Sequence, residues 1–370
     1  MKISLAKSSP LSQANFTYGV ATAAFQIEGA ADSRRACIWD TFCATPDKIK
    51  DKSDGLVACD HYHRWEQDLI ESLEVDAYRF SISWPRVITL NGELDPQGVS
   101  FYIKLLDALN KKNIKPYVTL YHWDLPQHLE DNGGWLNRET AYHFRDYVEL
   151  ITQAFGDRVY SYSTLNEPFC SAYLGYELGI HAPGLVGKAF GKQAAHHLLS
   201  AHGLGMQVLA KNSPNTLNGI VLNVSPCYPK TDNEEDIKAA WAADQNLNHW
   251  YVMPVLEGKY PSSIDTLPEA EMPPIEEGDM DIICQPMDYL GLNYYTREVY
   301  QATGENEREK WVDESLSFTD MGWEVYPQGL TDILLQLNKQ YTLPPLYITE
   351  NGAAMPDTYA NGQVQDTNRI

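Results

Sequence analysis

Two glutamates stand in matching settings, and a matched pair of carboxyls is what acid–base and nucleophilic chemistry at one centre requires. From Tyr160 the chain runs Tyr-Ser-Tyr-Ser-Thr-Leu and then Asn166-Glu167-Pro168. Small or β-branched polar residues alternate with larger ones until Pro168, which has no amide to donate and disfavours helix just before it. That pattern predicts a buried strand. Leu346-Tyr347-Ile348-Thr349 repeats the design: a short β-prone run ends in Glu350-Asn351, and Gly352 opens the turn. A carboxylate at the mouth of a strand costs desolvation unless it has a role. Two such glutamates at equivalent strand ends predict a two-carboxylate active site.

Bringing them together requires a scaffold of repeated units. Strand patterns fall at 16–24, 77–84, 115–124, 160–166, 218–225, 287–296 and 346–349. Helical patterns alternate with them at 60–75, 100–113, 138–155, 189–211, 235–255 and 329–341. In the first helix Tyr62, Trp65, Leu69 and Leu73 recur at spacings of three and four; in the second Tyr102, Leu105, Leu106 and Leu109 form the inner face. Strands alternating with helices imply parallel βα units, and seven strands of similar length favour a TIM-type (β/α)8 barrel over an open sheet. In such barrels the site lies at the carboxyl ends of the strands. Gln26, Arg79, His122, Asn166, Glu167, Tyr295 and Glu350 all fall at or near those ends. No linker or low-complexity segment divides the chain, so 1–370 is expected to be a single barrel domain. After Gly352 the sequence is polar and carries no eighth strand or closing helix, so the barrel is expected to be seven-eighths built.

Composition narrows the function classes. The chain has 370 residues, 44% hydrophobic, and a formal net charge of −22. An acidic surface of this size repels phosphate backbones and anionic lipid heads, so neither nucleic acid nor membrane is expected as a partner. No run approaches the roughly 20 apolar residues of a membrane span, and 1–16 is too polar for a secretory signal. The six cysteines, at 37, 43, 59, 170, 227 and 284, show no pairing pattern and are expected to be reduced thiols in the cytoplasm. His61 and His63 are two apart on a helix and make a poor metal pair; His196, His197 and His202 lie in an alanine- and leucine-rich helix, where packing is the better reading. Gly203-Leu204-Gly205 has no lysine or strand to make a phosphate loop. No metal or cofactor is expected.

The motifs resemble those of the bacterial β-glucosidases of glycoside hydrolase family 1. The likeness rests on Phe25-Gln26-Ile27-Glu28-Gly29, on 78–86 (Tyr-Arg-Phe-Ser-Ile-Ser-Trp-Pro-Arg), and on His122-Trp123-Asp124-Leu125-Pro126. It continues through Gly133-Gly134-Trp135, Asn166-Glu167-Pro168, His181-Ala182-Pro183-Gly184, Gly291-Leu292-Asn293-Tyr294-Tyr295 and Thr349-Glu350-Asn351-Gly352. It covers nearly every residue from about 16 to 366. The resemblance implies a retaining glycosidase with Glu350 as nucleophile and Glu167 as acid/base, about 5 Å apart. Arg79 beside Glu350 would hold its pKa down, while burial and the nucleophile's charge would hold Glu167 protonated. It further implies that Asn166 holds the sugar 2-hydroxyl, that Gln26 and His122 bind neighbouring hydroxyls, and that Tyr295 donates to Glu350. Trp323 would stack under the leaving group.

The implied substrates are cellobiose and aryl or alkyl β-glucosides, met during cellulose breakdown. A 6-phospho-β-glucosidase or β-galactosidase of the same family is the alternative within enzymes. The family's pattern continues through an eighth strand bearing a tryptophan and a later Glu-Trp pair that grip the far hydroxyls. This sequence stops before them, which leaves open a sugar-binding fragment needing a complementing C-terminal chain, or homo-oligomer contacts.

Overall fold

The computed structural model describes residues 6–67, 74–304 and 307–366. Seven parallel strands pair in sequence order: β1 (Gly19–Ala21), β2 (Ala77–Ser81), β3 (Lys115–Tyr121), β4 (Ser161–Asn166), β5 (Leu217–Asn223), β6 (Tyr289–Asn293) and β7 (Leu346–Glu350). The expected barrel is present. Its edge strands β1 and β7 each pair on one side only among the described residues. The inner strands are buried almost throughout, as a parallel sheet covered on both faces requires. By contrast, all three residues of β1 are exposed and β7 is half-exposed, with Val20 at 41% and Ile348 at 44%.

Helices α1 (Pro96–Lys111), α2 (Glu139–Phe155) and α3 (Lys188–Asn212) pack around the inner strands. The helix read at 100–113 starts four residues earlier, because Asp95 caps it. Its carboxylate accepts from the amides of Gln97 and Gly98, and Pro96 fills the first turn. Tyr102, Leu105, Leu106 and Leu109 are buried on its inner face as expected. Gly98 has to be glycine: a Cβ there would lie 2.2 Å from the Arg86 carbonyl oxygen. Of the helix read at 60–75, His61–Trp65 is helical, with Trp65 buried; Leu69 and Leu73 lie outside the described residues.

Several sequence expectations need correction, among them the strands read at 115–124 and 287–296, which are only β3 and β6. The strand read at 16–24 is only β1, because the amide of Ala24 turns to Ser81 Oγ at 2.7 Å and begins the short helix Ala24–Ile27. The strand read at 77–84 ends at Ser81, since Pro85 sits in the first turn of the helix Trp84–Val87. The helix read at 235–255 is two helices, α4 (Glu234–Asp244) and α5 (Trp250–Glu257), joined by a π-turn at Gln245–His249. There Asn248 bonds out to Ser225 and back to Asp244, and His249 also bonds Asp244. Beyond Gly352 the chain is more than a polar run, for Thr358–Ala360 and Gln363–Gln365 form an antiparallel hairpin. A further three-stranded sheet, Cys227–Pro229 with Glu298–Gly304 and Glu307–Lys310, flanks the barrel mouth. The last expected helix is α6 (Gln328–Gln340). No helix among the described residues is long and apolar enough to cross a membrane.

Candidate active site

Both glutamates sit at the barrel mouth, and the strands that carry them are irregular just before them. The β4–β5 register shifts between Ser163 and Asn166, and the β7–β6 register shifts between Ile348 and Glu350. Such irregularities bend a strand end and re-aim its side chains. Glu167 follows with φ 46°, and Trp123, just beyond β3, has φ 79°. A left-handed conformation in a non-glycine residue costs on the order of 1–3 kcal/mol and persists only where surroundings enforce it. Here Glu167 is tied by its amide to the Val221 carbonyl at 2.8 Å, and Trp123 Nε1 donates to the Asn166 carbonyl at 2.9 Å.

A chain of hydrogen bonds links the two carboxyls. Tyr295 donates its hydroxyl to Glu350 Oε2 at 2.7 Å, and Arg79 donates to Glu350 Oε1 at 2.5 Å. The second arm of the same guanidinium donates to Asn166 Oδ1 at 2.7 Å. Asn293 Nδ2 donates to Asn166 Oδ1 at 3.1 Å and to Glu167 Oε1 at 2.7 Å. Cys170 donates its thiol to Glu167 Oε2 at 3.2 Å. With Oδ1 of Asn166 doubly occupied, its Nδ2 is the end that faces His122 Nε2, at 3.2 Å.

The two carboxyls are pushed in opposite directions. Burial, and then the charge of Glu350, push the Glu167 carboxyl up to about 7, against the opposing bonds from Asn293 and Cys170. At Glu350 burial also works against the charge, but the Arg79 guanidinium and the bonds from Tyr295 and Arg79 outweigh it and hold the carboxyl below its ordinary value. His122 is driven down to about 4 by burial, so its ring is neutral near pH 7.

The mouth opens into a cleft of about 2030 Å³. Gln26, Arg79, His122, Glu167, Tyr295, Trp323 and Glu350 all line it. Asn166 lies beneath them, 1% exposed. Gln26 is exposed, and Trp323 lies 5.2 Å from Tyr295, centroid to centroid. The cleft is also lined by the apolar side chains of Phe169, Leu174, Leu178, Ile180 and Met321, and by the charged Glu307, Arg308, Glu309 and Lys310. Toward the unpaired edges the cleft runs down past Thr349, Ile348 and Tyr347 to Tyr117 and Gly19.

Asn293 and Cys170 were not read as site residues from the sequence. A signal existed for Asn293, a polar residue closing an apolar strand just as Asn166 does; Cys170 gave none. The histidines of α3 are packed and bonded as expected: His196 to Asp279 and Tyr260, His197 to the Trp135 carbonyl, and His202 to Thr164.

A parallel barrel with two inequivalent carboxyls at the carboxyl ends of its strands, Glu167 buried and Glu350 half-buried, defines a barrel-type glycoside hydrolase. The chain belongs to glycosyl hydrolase family 1, whose family model matches residues 10–370. Among curated relatives, a β-glucosidase of an Agrobacterium species is 42% identical over 366 residues, covering 96% of this chain and 80% of its own length. β-Glucosidase A of Acetivibrio thermocellus is 41% identical over 368 residues, covering 96% and 82%. Among solved structures, the family 1 β-glucosidase of Exiguobacterium antarcticum superposes with a TM-score of 0.92 at 39% identity, covering 96% of this chain and 82% of that one. The β-glucosidase of Thermotoga maritima in complex with glucoimidazole superposes with a TM-score of 0.91 at 40% identity, with the same coverage.

Proposed function

We propose that this enzyme hydrolyses terminal, non-reducing β-D-glucosyl residues, from cellobiose and from aryl or alkyl β-glucosides, with retention of configuration. The observation that carries the reading is the contrast between two carboxyls at one mouth: Arg79 holds Glu350 ionised, while burial and the charge of Glu350 push Glu167 up to about 7, so that it keeps a large share of its proton near neutral pH. Glu350 attacks the anomeric carbon while Glu167 gives its proton to the glycosidic oxygen. The C–O bond breaks, the aglycone leaves as an alcohol, and a glycosyl ester forms on Glu350. That ester removes the neighbouring charge, so Glu167 ionises more readily and accepts a proton from the attacking water as the ester is cleaved.

Asn166 holds the 2-hydroxyl, where a contact strengthens as charge develops on the ring. Gln26 and His122 bind neighbouring hydroxyls, and Tyr295 and Arg79 orient Glu350. Trp323 and the apolar side chains lining the cleft receive the aglycone. Six unpaired thiols favour a reducing, cytoplasmic setting, where the enzyme would clear cellobiose from cellulose breakdown. We read 1–370 as one barrel domain, and the one-sided pairing of β1 and β7 supports a complementing C-terminal segment or subunit contact along that edge. Adding such a segment should then raise activity and melting temperature; no change in either would remove this part of the reading.

Proton NMR of an aryl β-glucoside during its first turnovers tests the reaction. β-Glucose should appear first and mutarotate later, with slower turnover of the galactoside and the 6-phosphoglucoside. α-Glucose appearing first would overturn the double displacement.

A further inference from the structure

Among the described residues, Glu167 is the one carboxyl at the mouth whose two oxygens both meet uncharged donors on other residues. Asn293 Nδ2 lies 2.7 Å from Oε1, and Cys170 Sγ lies 3.2 Å from Oε2. An amide N–H can only donate, so Oε1 must remain an acceptor in both charge states of Glu167. In the neutral acid the carbonyl oxygen is the better acceptor and takes the stronger amide donor at Oε1, so the proton resides on Oε2, the oxygen beside the weaker thiol donor.

We propose that Cys170 is a positioning residue for proton transfer: its thiol holds Oε2 in place as the atom that delivers the proton to the glycosidic oxygen and takes one back from water. This rests on the reading of Glu167 as acid/base. A thiol is a weak donor and a weak acceptor, so it leaves the Oε2 proton free to go to the aglycone. Once Oε2 has given that proton up, the contact becomes a bond to a charged oxygen and strengthens. The thiol keeps its own proton throughout, because burial and the charges of Glu167 and Glu350 push it well above its ordinary range.

The backbone builds this contact. Cys170 N–H bonds the Glu167 carbonyl at 2.9 Å, closing the turn after β4, and Cys170 opens the π-helical segment Cys170–Glu177. Such π-turns are frequent at functional sites. The titratable groups facing this pair are Glu350, Arg79 and Tyr295 around Glu167, and Tyr251 behind Cys170.

The test is the pH profile of kcat/KM on an aryl β-glucoside. A donor to the ionised carboxyl lowers its pKa, so Cys170→Ala should move the basic limb to higher pH, by about half a unit. Cys170→Ser, with a stronger hydroxyl donor, should move it to lower pH. A purely structural cysteine would change activity or melting temperature without displacing the limb. If Cys170→Ala does not fold, the serine variant decides alone. A limb that coincides with wild type in the folded variants overturns the proposal. Glu167→Ala separates the two levels of inference. A basic limb that persists in it removes the acid/base reading, and this proposal with it. A limb that vanishes there yet ignores Cys170 overturns this proposal only.

Discussion

The ends of β4 and β7 look alike in sequence and behave differently in the fold. Each pairs a glutamate with an asparagine, each follows a register irregularity, and each opens onto the same cleft. What differs is what the other strands bring to them. Glu350 meets the cation of Arg79 from β2 and the hydroxyl of Tyr295 from beyond β6. Glu167 meets the amide of Asn293 at the end of β6, the thiol of Cys170, and no cation within bonding distance among the described residues. A carboxyl beside a guanidinium stays ionised; one buried among neutral donors near another charge keeps its proton. On the proposed reading, neighbours from elsewhere in the barrel, and not the local motif, set which glutamate serves as nucleophile and which as acid.

The comparison breaks most severely at Glu350. Glu350→Gly should lose more than about 10⁴-fold in kcat, since no ester can form. Azide should partly restore turnover and give the α-glycosyl azide, identified by NMR. Glu167→Ala should cost roughly 10²–10⁴-fold and chiefly in the second step. An activated aryl glucoside should then show a burst followed by slow release, and azide should give the β-product. The same anomer from both variants would contradict the assignment of two distinct roles.

Smaller changes sharpen the contrast. In Arg79→Met the charge of Glu350 loses its partner, its pKa rises, and ionisation requires a higher pH. The acid limb of kcat/KM should therefore move up by about one pH unit or more, with the basic limb moving much less. In Asn293→Ala the ionised form of Glu167 loses a donor, so its pKa rises from about 7 and the basic limb moves up. That shift should be about half to one unit, with the acid limb unmoved.

The barrel was legible because its inner strands announce themselves. Runs such as Tyr117 to Leu120 are buried on both faces and can be little else, and the turn after β4 carries its own stop in Pro168. Both glutamates were legible for the same reason, each a charge at the end of such a run. The side sheet was not. Cys227–Pro229 is three residues long and contains a proline, and its strand character comes only from Glu298–Gly304, far along the chain. The break before α5 was hidden too, since side-chain bonds of Asn248 and His249 to Asp244 and Ser225 decide it. The meaning of Asn293 and Cys170 depends on which carboxyl they touch, and that is set by the fold. At β1 the pattern overestimated the strand, reading 16–24 where only Gly19–Ala21 pairs, because the amide of Ala24 turns away to Ser81 Oγ; at β7 the strand read at 346–349 is present as Leu346–Glu350.

The central claim is that the two carboxyls differ in role, and one labelling experiment addresses it most directly. The enzyme is incubated with a 2-deoxy-2-fluoro-β-D-glucoside bearing an activated aryl leaving group, which forms the glycosyl ester quickly and hydrolyses it slowly. Digestion and mass spectrometry then locate the sugar. The account predicts stoichiometric release of the aryl alcohol and a single labelled peptide, with the fluoroglucosyl group on Glu350. A label on Glu167, or turnover with no trapped ester, would contradict it.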